Sequence, residues 1–344
     1  MSKILFFASS VAVMLALPCL VLAQAASPQA TTGELQAAAT RAGESRRRAV
    51  DFEANYYFPG EWIVAEALYA EARRMPTDSD YDINRAIDAH TVAANSFDSI
   101  LRLSIPLYAQ AREDEIMMIR HRLVSGGARA SFPELMSPAD RAALAALERY
   151  EAGDFYPARD FAAKAYTMFQ VLETTFNAWQ IRQEIVRRGF QSHALDNYER
   201  AEVIIGEAVQ AYIEGDFPLA QENAIEAQAR YSLVLSSGWA AVAEYNSYLA
   251  KAERIAAVEA RANVAARETF EMADFFYTTA VDSLMREHYR KAAEMFADAE
   301  ALYLIARIST FEMRRLAAEA IMEANRQIEE VIRTAQQAEL DTNY

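Results

Sequence analysis

Along most of this chain apolar residues return every three or four positions, polar residues fill the gaps, and glycine and proline are scarce. That is the pattern of long amphipathic helices, and no stretch alternates with the period of two that a half-buried strand requires. The pattern predicts an all-α protein with helices at about 33–57, 61–74, 83–123, 138–152, 156–188, 194–214, 217–287 and 289–338. Interruptions carry explicit turn chemistry. Phe58-Pro59-Gly60 and the stretch Met75–Tyr81, with Pro76, Asp78 and Asp80, read as turns. Val124–Ser137, with Gly126-Gly127 and Pro133, reads as the longest loop. It divides an N-terminal helical region, 26–123, from a repeat region, 138–340, although the helices on its two sides read as one array. Ser137-Pro138-Ala139-Asp140 has the form of a helix start, and Ser236-Ser237-Gly238 should break or bend the long seventh helix.

The first 25 residues differ from everything after them. Lys3 supplies a basic start, Ile4 to Leu17 an apolar run, and Ala23-Gln24-Ala25 a small-residue cleavage site, so export with cleavage between Ala25 and Ala26 is expected. Two alternatives stand beside it. Cys19 could carry a lipid, but Pro18 directly before it is a poor fit to a lipoprotein site. The run from Ile4 to Ala23 also approaches the ~20 residues of a minimal span, against which the proline and the cleavage site both argue.

Cys19 is the only cysteine, so removal of the signal would leave a chain held by packing alone, without disulfides or thiolate metal sites. The 49 acidic and 34 basic residues give a net charge of −15. A chain so acidic is a poor partner for nucleic acid or anionic lipid. Arg46-Arg47-Arg48, Arg120 to Arg122 and Arg187-Arg188 are local exceptions, read as solvated helix faces because no stacking aromatics interleave them.

One short pattern recurs. Gly153-Asp154-Phe155-Tyr156-Pro157-Ala158 is echoed 62 positions later by Gly215-Asp216-Phe217-Pro218-Leu219-Ala220, and Ala162 and Ala165 by Ala224 and Ala227. Upstream, Ala146 and Tyr150 match Ala208 and Tyr212. Weaker copies are read at Gly60-Glu61-Trp62 with Ala65, Tyr69 and Ala72, and at Glu287-His288-Tyr289 with Ala292, Phe296 and Ala299. In a helical hairpin the glycine permits the tight turn, the aromatic plugs the gap, and the alanines let two backbones approach. Gly153-Asp154-Phe155 with Ala158 and Ala165, and Gly215-Asp216-Phe217 with Ala220 and Ala227, resemble the tetratricopeptide repeat family. The texture is also similar to alanine-rich helical repeats of bacterial envelope proteins. The spacings of 93, 62 and 72 depart from the family's repeat of about 34, so the resemblance covers only the turns and their flanks. It implies a hairpin array that holds partner proteins, and it implies no reaction.

Nothing in the sequence assembles an enzyme. His90, His121, His193 and His288 lack a partner at metal-ligand spacing and are expected on the surface or in turns; no glycine-rich phosphate loop or nucleophile elbow is present. No cofactor or metal is therefore expected. Aromatics give the one constellation of interest: Tyr56, Tyr57, Trp62 and Tyr69 in the first hairpin, and Phe275, Phe276 and Tyr277 in the last. They could line a groove for a partner or a ligand, or fill the core. The expectation is a non-enzymatic, periplasmic or envelope-associated scaffold that binds proteins. The alternative is capture of a small hydrophobic ligand between hairpins, for delivery to a transporter.

Overall fold

The computed structural model describes residues 31–342, and the expected signal segment, with Cys19, Ala25 and Ala26, lies outside them. Among the described residues the chain is all-α, with twelve α-helices packed as antiparallel neighbours and no strand. No helix among them is long and apolar enough to cross a membrane. The chain divides into two compact units, 1–110 and 111–344.

In the first unit, α1 (Thr32–Asp51) opens with a capping box: the Thr31 hydroxyl accepts from the Glu34 amide, and the Glu34 carboxylate accepts from the Thr31 amide. The chain then turns a corner. Glu53 takes positive φ, a single helical turn, α2 (Ala54–Tyr57), follows, and Phe58 leads into α3 (Pro59–Ala72). After a loop it enters α4 (Asp80–Ser125), whose N-terminal part belongs to this unit. The core here is small residues and rings. Ala42, Ala49, Ala65, Ala86 and Ala93 are buried, and Phe97 lies between Trp62 and Tyr69 at 5.2 and 6.0 Å.

In the second unit the same corner occurs three times. Gly127, Gly189 and Arg261 take positive φ; the single turns are α5 (Ala128–Ser131), a 3₁₀ turn (Phe190–Ala194) and α10 (Ala262–Ala265). Each leads into the first helix of a hairpin: α6 (Pro133–Glu151), α8 (Leu195–Glu214) and α11 (Arg267–Met285). Second turns at Gly153, Gly215 and Glu287, all with positive φ, lead into α7 (Phe155–Arg188), α9 (Phe217–Glu259) and α12 (Tyr289–Thr342). At two of them the aromatic plug is visible: Phe155 and Phe217 lie 5.6 and 5.7 Å from Tyr150 and Tyr212. Asp216 caps α9 by accepting from the Leu219 amide, while Asp154 pairs with Arg149 instead.

An ion pair braces every corner. An arginine near the end of one helix meets an acid twenty residues on, in the next helix: Arg46 with Glu66 (2.6 Å), Arg120 with Asp140 (2.7 Å), Arg182 with Glu202 (2.6 Å) and Arg254 with Asp274 (2.8 Å). The residue before each acid is a fully buried alanine, Ala65, Ala139, Ala201 and Ala273. With no Cβ branch to hold the helices apart, the arginine reaches its partner across a close contact.

Several expectations change. Val124–Ser137 is not a loop, because Phe132-Pro133 starts α6 as Phe58-Pro59 starts α3, and Pro138 sits one turn inside the helix. The span 217–287 is not one helix, because the corner at Arg261 interrupts it without a glycine. Gly238 neither breaks nor ends α9; a Cβ there would come within 2.3 Å of the Phe190 ring, so the glycine is a contact point. Gly60 does not turn the first hairpin. Gly60, Trp62, Ala65, Tyr69 and Ala72 lie in α3, the hairpin's first helix, and the counterparts of Ala158 and Ala165 are Ala86 and Ala93 in α4.

Candidate partner-binding groove

The aromatic clusters separate into core and surface. Trp62 and Tyr69 face inward onto Phe97, with the Arg46 guanidinium 5.6 Å above the Trp62 ring. Tyr56 stands 75% exposed, with Tyr57 edge-on to it at 5.2 Å. These four rings therefore line no common groove in the first unit. In α11, Phe276 and Tyr277 pack against the core, Tyr277 at 5.4 Å from Phe296, while Phe275 points out at 64% exposure. The turn residues flagged in the sequence are structural: Ala158, Ala220 and Ala292 are buried, and Tyr289 is packed against the core.

Tyr277 also lines an open groove between α9 and α11, about 320 Å³ in volume, with Lys251, Arg254, Ile255, Asp274 and Thr278. Helical spacing builds its α9 wall. Tyr248, Lys251 and Ile255 fall three and four apart on one face, and Tyr248 is 70% exposed. The floor is the fourth corner brace. Asp274 accepts from Arg254 and from the Tyr303 hydroxyl, and the Arg254 guanidinium lies 5.8 Å from the Phe270 ring. Burial opposes ionisation of Asp274, but the hydrogen bonds from Arg254 and Tyr303 and the arginine charge outweigh it and hold the carboxyl below its ordinary range. The charges of the floor are thus committed to each other. Lys251, exposed at the rim, is a cation left facing solvent there.

The corner above repeats this chemistry. Glu202 accepts two hydrogen bonds from Arg182 and one from the Tyr231 hydroxyl at 2.6 Å. Burial again works against its ionised form, and the donated hydrogen bonds outweigh it, so its pKa is lowered. A carboxylate depressed in the folded state contributes stability that is complete above its unfolded pKa and lost as pH falls through the folded one. Acid unfolding is therefore expected to begin below about pH 4.5. Glu202→Gln should cost about 1.5–3 kcal/mol near neutral pH and less at pH 3, where a glutamate of the unfolded chain is already protonated and the advantage of the folded carboxylate is reduced. Urea titrations at the two pH values measure this, and an equal loss at both would remove Glu202 from the acid response.

Other charged groups are also structural. Arg48 and Arg122, in basic runs expected to be solvated, pair with Asp98 (3.0 Å) and Glu173 (2.6 Å). His90, expected at the surface, is buried beside Tyr69, and burial, then the Arg73 charge, holds its pKa down. Among the described residues no three His, Cys, Asp or Glu side chains gather as a metal site. Sequence reading did not find the corner braces. Their only signal is an arginine twenty residues before an Ala-Glu or Ala-Asp pair, four times over. Comparison of the chain with protein families, curated proteins and solved structures gives no match.

Proposed function

We propose that this chain is an exported, non-enzymatic scaffold of the cell envelope, a divergent tetratricopeptide-like hairpin array that binds protein partners through the groove between α9 and α11. One observation carries the reading. Exposed Ile255 and half-buried Tyr277 line a groove whose Arg254 and Asp274 already pair with each other, and exposed Tyr248 and Phe275 lie on the same two helices. Exposed aromatics on the helices beside a groove suit recognition of a protein segment, and an ionised carboxylate that already accepts two hydrogen bonds is a poor general acid. Lys251 at the rim favours a segment that brings an apolar side chain for the groove and an acidic group beside it.

Capture of a small hydrophobic ligand is the less favoured reading. The groove lies at the lower end of the roughly 300–1,000 Å³ of small-molecule sites and is open, with ion-paired residues in its floor. A photo-crosslinking residue at Tyr248 or Phe275 should yield the same discrete protein adducts in intact cells. The same residue at exposed Glu222, on α9 outside the groove, should yield none of them. Identical adducts from all three positions, or none from Tyr248 and Phe275, would remove the groove as the binding surface.

A further inference from the structure

Of the four histidines, His121, His193 and His288 are exposed, and His90 alone is buried. It lies in α4, one turn from the buried Ala86, Ala93 and Ala94. Its Nδ1 is enclosed without a hydrogen-bond partner among the described residues. From α3 the Tyr69 ring stands edge-on to it at 6.3 Å, and the Arg73 guanidinium lies 5.7 Å from that same ring. A neutral imidazole suits this place and an imidazolium does not. Protonation would make Nδ1 a charged donor where it meets no acceptor, and would set a second cation near Arg73.

No acid is placed to compensate. The one charged group that acts on His90 is Arg73, and it opposes the proton. Glu66 of α3 and Asp98 of α4 are already taken up by arginines of α1, Glu66 by Arg46 and Asp98 by Arg41 and Arg48. Beyond the Arg46 brace, the last turns of α3 turn Tyr69 and Ala72 inward, where Tyr69 meets Phe97 as well as His90. After Ala72 the chain runs into a mostly exposed loop, 73–79, so this end of the helix has no covalent neighbour that is itself packed.

We propose that the contact between α3 and α4 is an acid-sensitive latch, in which a proton taken up by His90 releases the last turns of α3 and uncovers Phe97. The inference goes beyond the groove reading and does not rest on it. Burial and the Arg73 charge depress the pKa of His90 in the closed form, so the open form binds the proton more tightly. The latch is therefore at full strength above the ordinary histidine value of about 6.5 and weakens as pH falls from there to the depressed one. Glu202, whose pKa is lowered, stays ionised through this range. Mild acid thus acts on the first unit while the Glu202 corner of the second holds.

Hydrogen exchange of the purified protein at about pH 7.5 and 5.5, on either side of the ordinary histidine value and corrected for intrinsic rates, tests it. The opening constant of α3 should rise about three- to tenfold at the lower pH, while that of α8 should not change. His90→Gln, which takes up no proton, should show equal protection of α3 at both values. Carbon-13 histidine NMR of wild type gives a second reading that holds even if the variant fails to fold. With each exposed histidine assigned by its own substitution, His90 should titrate below the other three. Equal protection of wild-type α3 at both pH values overturns the proposal, and so does a fall that α8 shares. A His90→Gln chain that keeps the fall, or a His90 that titrates with the exposed three, overturns it as well.

Discussion

Gly238→Ala is expected to destabilise the protein by about 1–3 kcal/mol, although alanine is the better helix former by up to ~1 kcal/mol. Gly238 lies inside α9, and a Cβ there would meet the Phe190 Cγ and Cδ2 atoms at 2.3 Å and its Cβ at 2.8 Å. The Phe190 ring is buried, edge-on to Trp239 at 5.7 Å, and the Arg188 guanidinium covers Trp239 at 4.2 Å. Neither neighbour leaves the ring an easy retreat. Denaturant titration should show the loss, and Phe190→Leu in the same chain should recover part of it. A Gly238→Ala protein as stable as wild type would mean that the 3₁₀ turn yields freely.

Phe296→Ala should cost about 3–5 kcal/mol, as expected for deleting a fully buried ring. Because Phe296 backs Tyr277 at 5.4 Å, the change should also loosen the groove wall. Phe275→Ala, on the neighbouring exposed position, should change stability by less than about 0.5 kcal/mol while weakening partner capture. The pair separates packing from recognition: unfolding titrations read the first, crosslinking yield at Tyr248 the second. If Phe275→Ala proved as destabilising as Phe296→Ala, its ring would belong to the core and not to a recognition surface.

The two changes also mark where sequence pattern is informative and where it is not. Long helices were legible because glycine and proline are scarce and apolar spacing holds over many turns. The hairpin turns at Gly153 and Gly215 were legible because positive φ there selects glycine. The same backbone conformation at Glu53, Arg261 and Glu287, which costs of order 1 kcal/mol, falls on residues whose type does not announce it. Hence 217–287 read as one helix. Gly238 misled in the opposite way, since a glycine kept for close approach looks the same in sequence as one kept for a bend. In the first hairpin Gly60 drew the frame onto α3, whereas the hairpin turn there is a longer loop without a positive-φ residue.

The groove was legible in part. Tyr277 stands in the aromatic triplet, but its neighbours Lys251 and Ile255 come from another helix, twenty or more residues away, and only packing brings them together. Arginine and acid are so common on helices that the corner braces were hidden among ordinary surface charges. Their regularity appears only once the positive-φ residues supply a common origin: each bracing arginine lies seven positions before one, and each acid thirteen after.

That fixed interval makes the corner a joint of standard gauge. Arg182 to Glu202 and Arg254 to Asp274 span the same interval across different single turns, so the segment from one corner's positive-φ residue to the next corner's, such as 189–260, is a cassette with matching ends. Lineages of this chain could lengthen or shorten by whole cassettes without inventing a new junction, and an engineer could splice in the same way. The array's length would then be free to follow the distance between the things it connects.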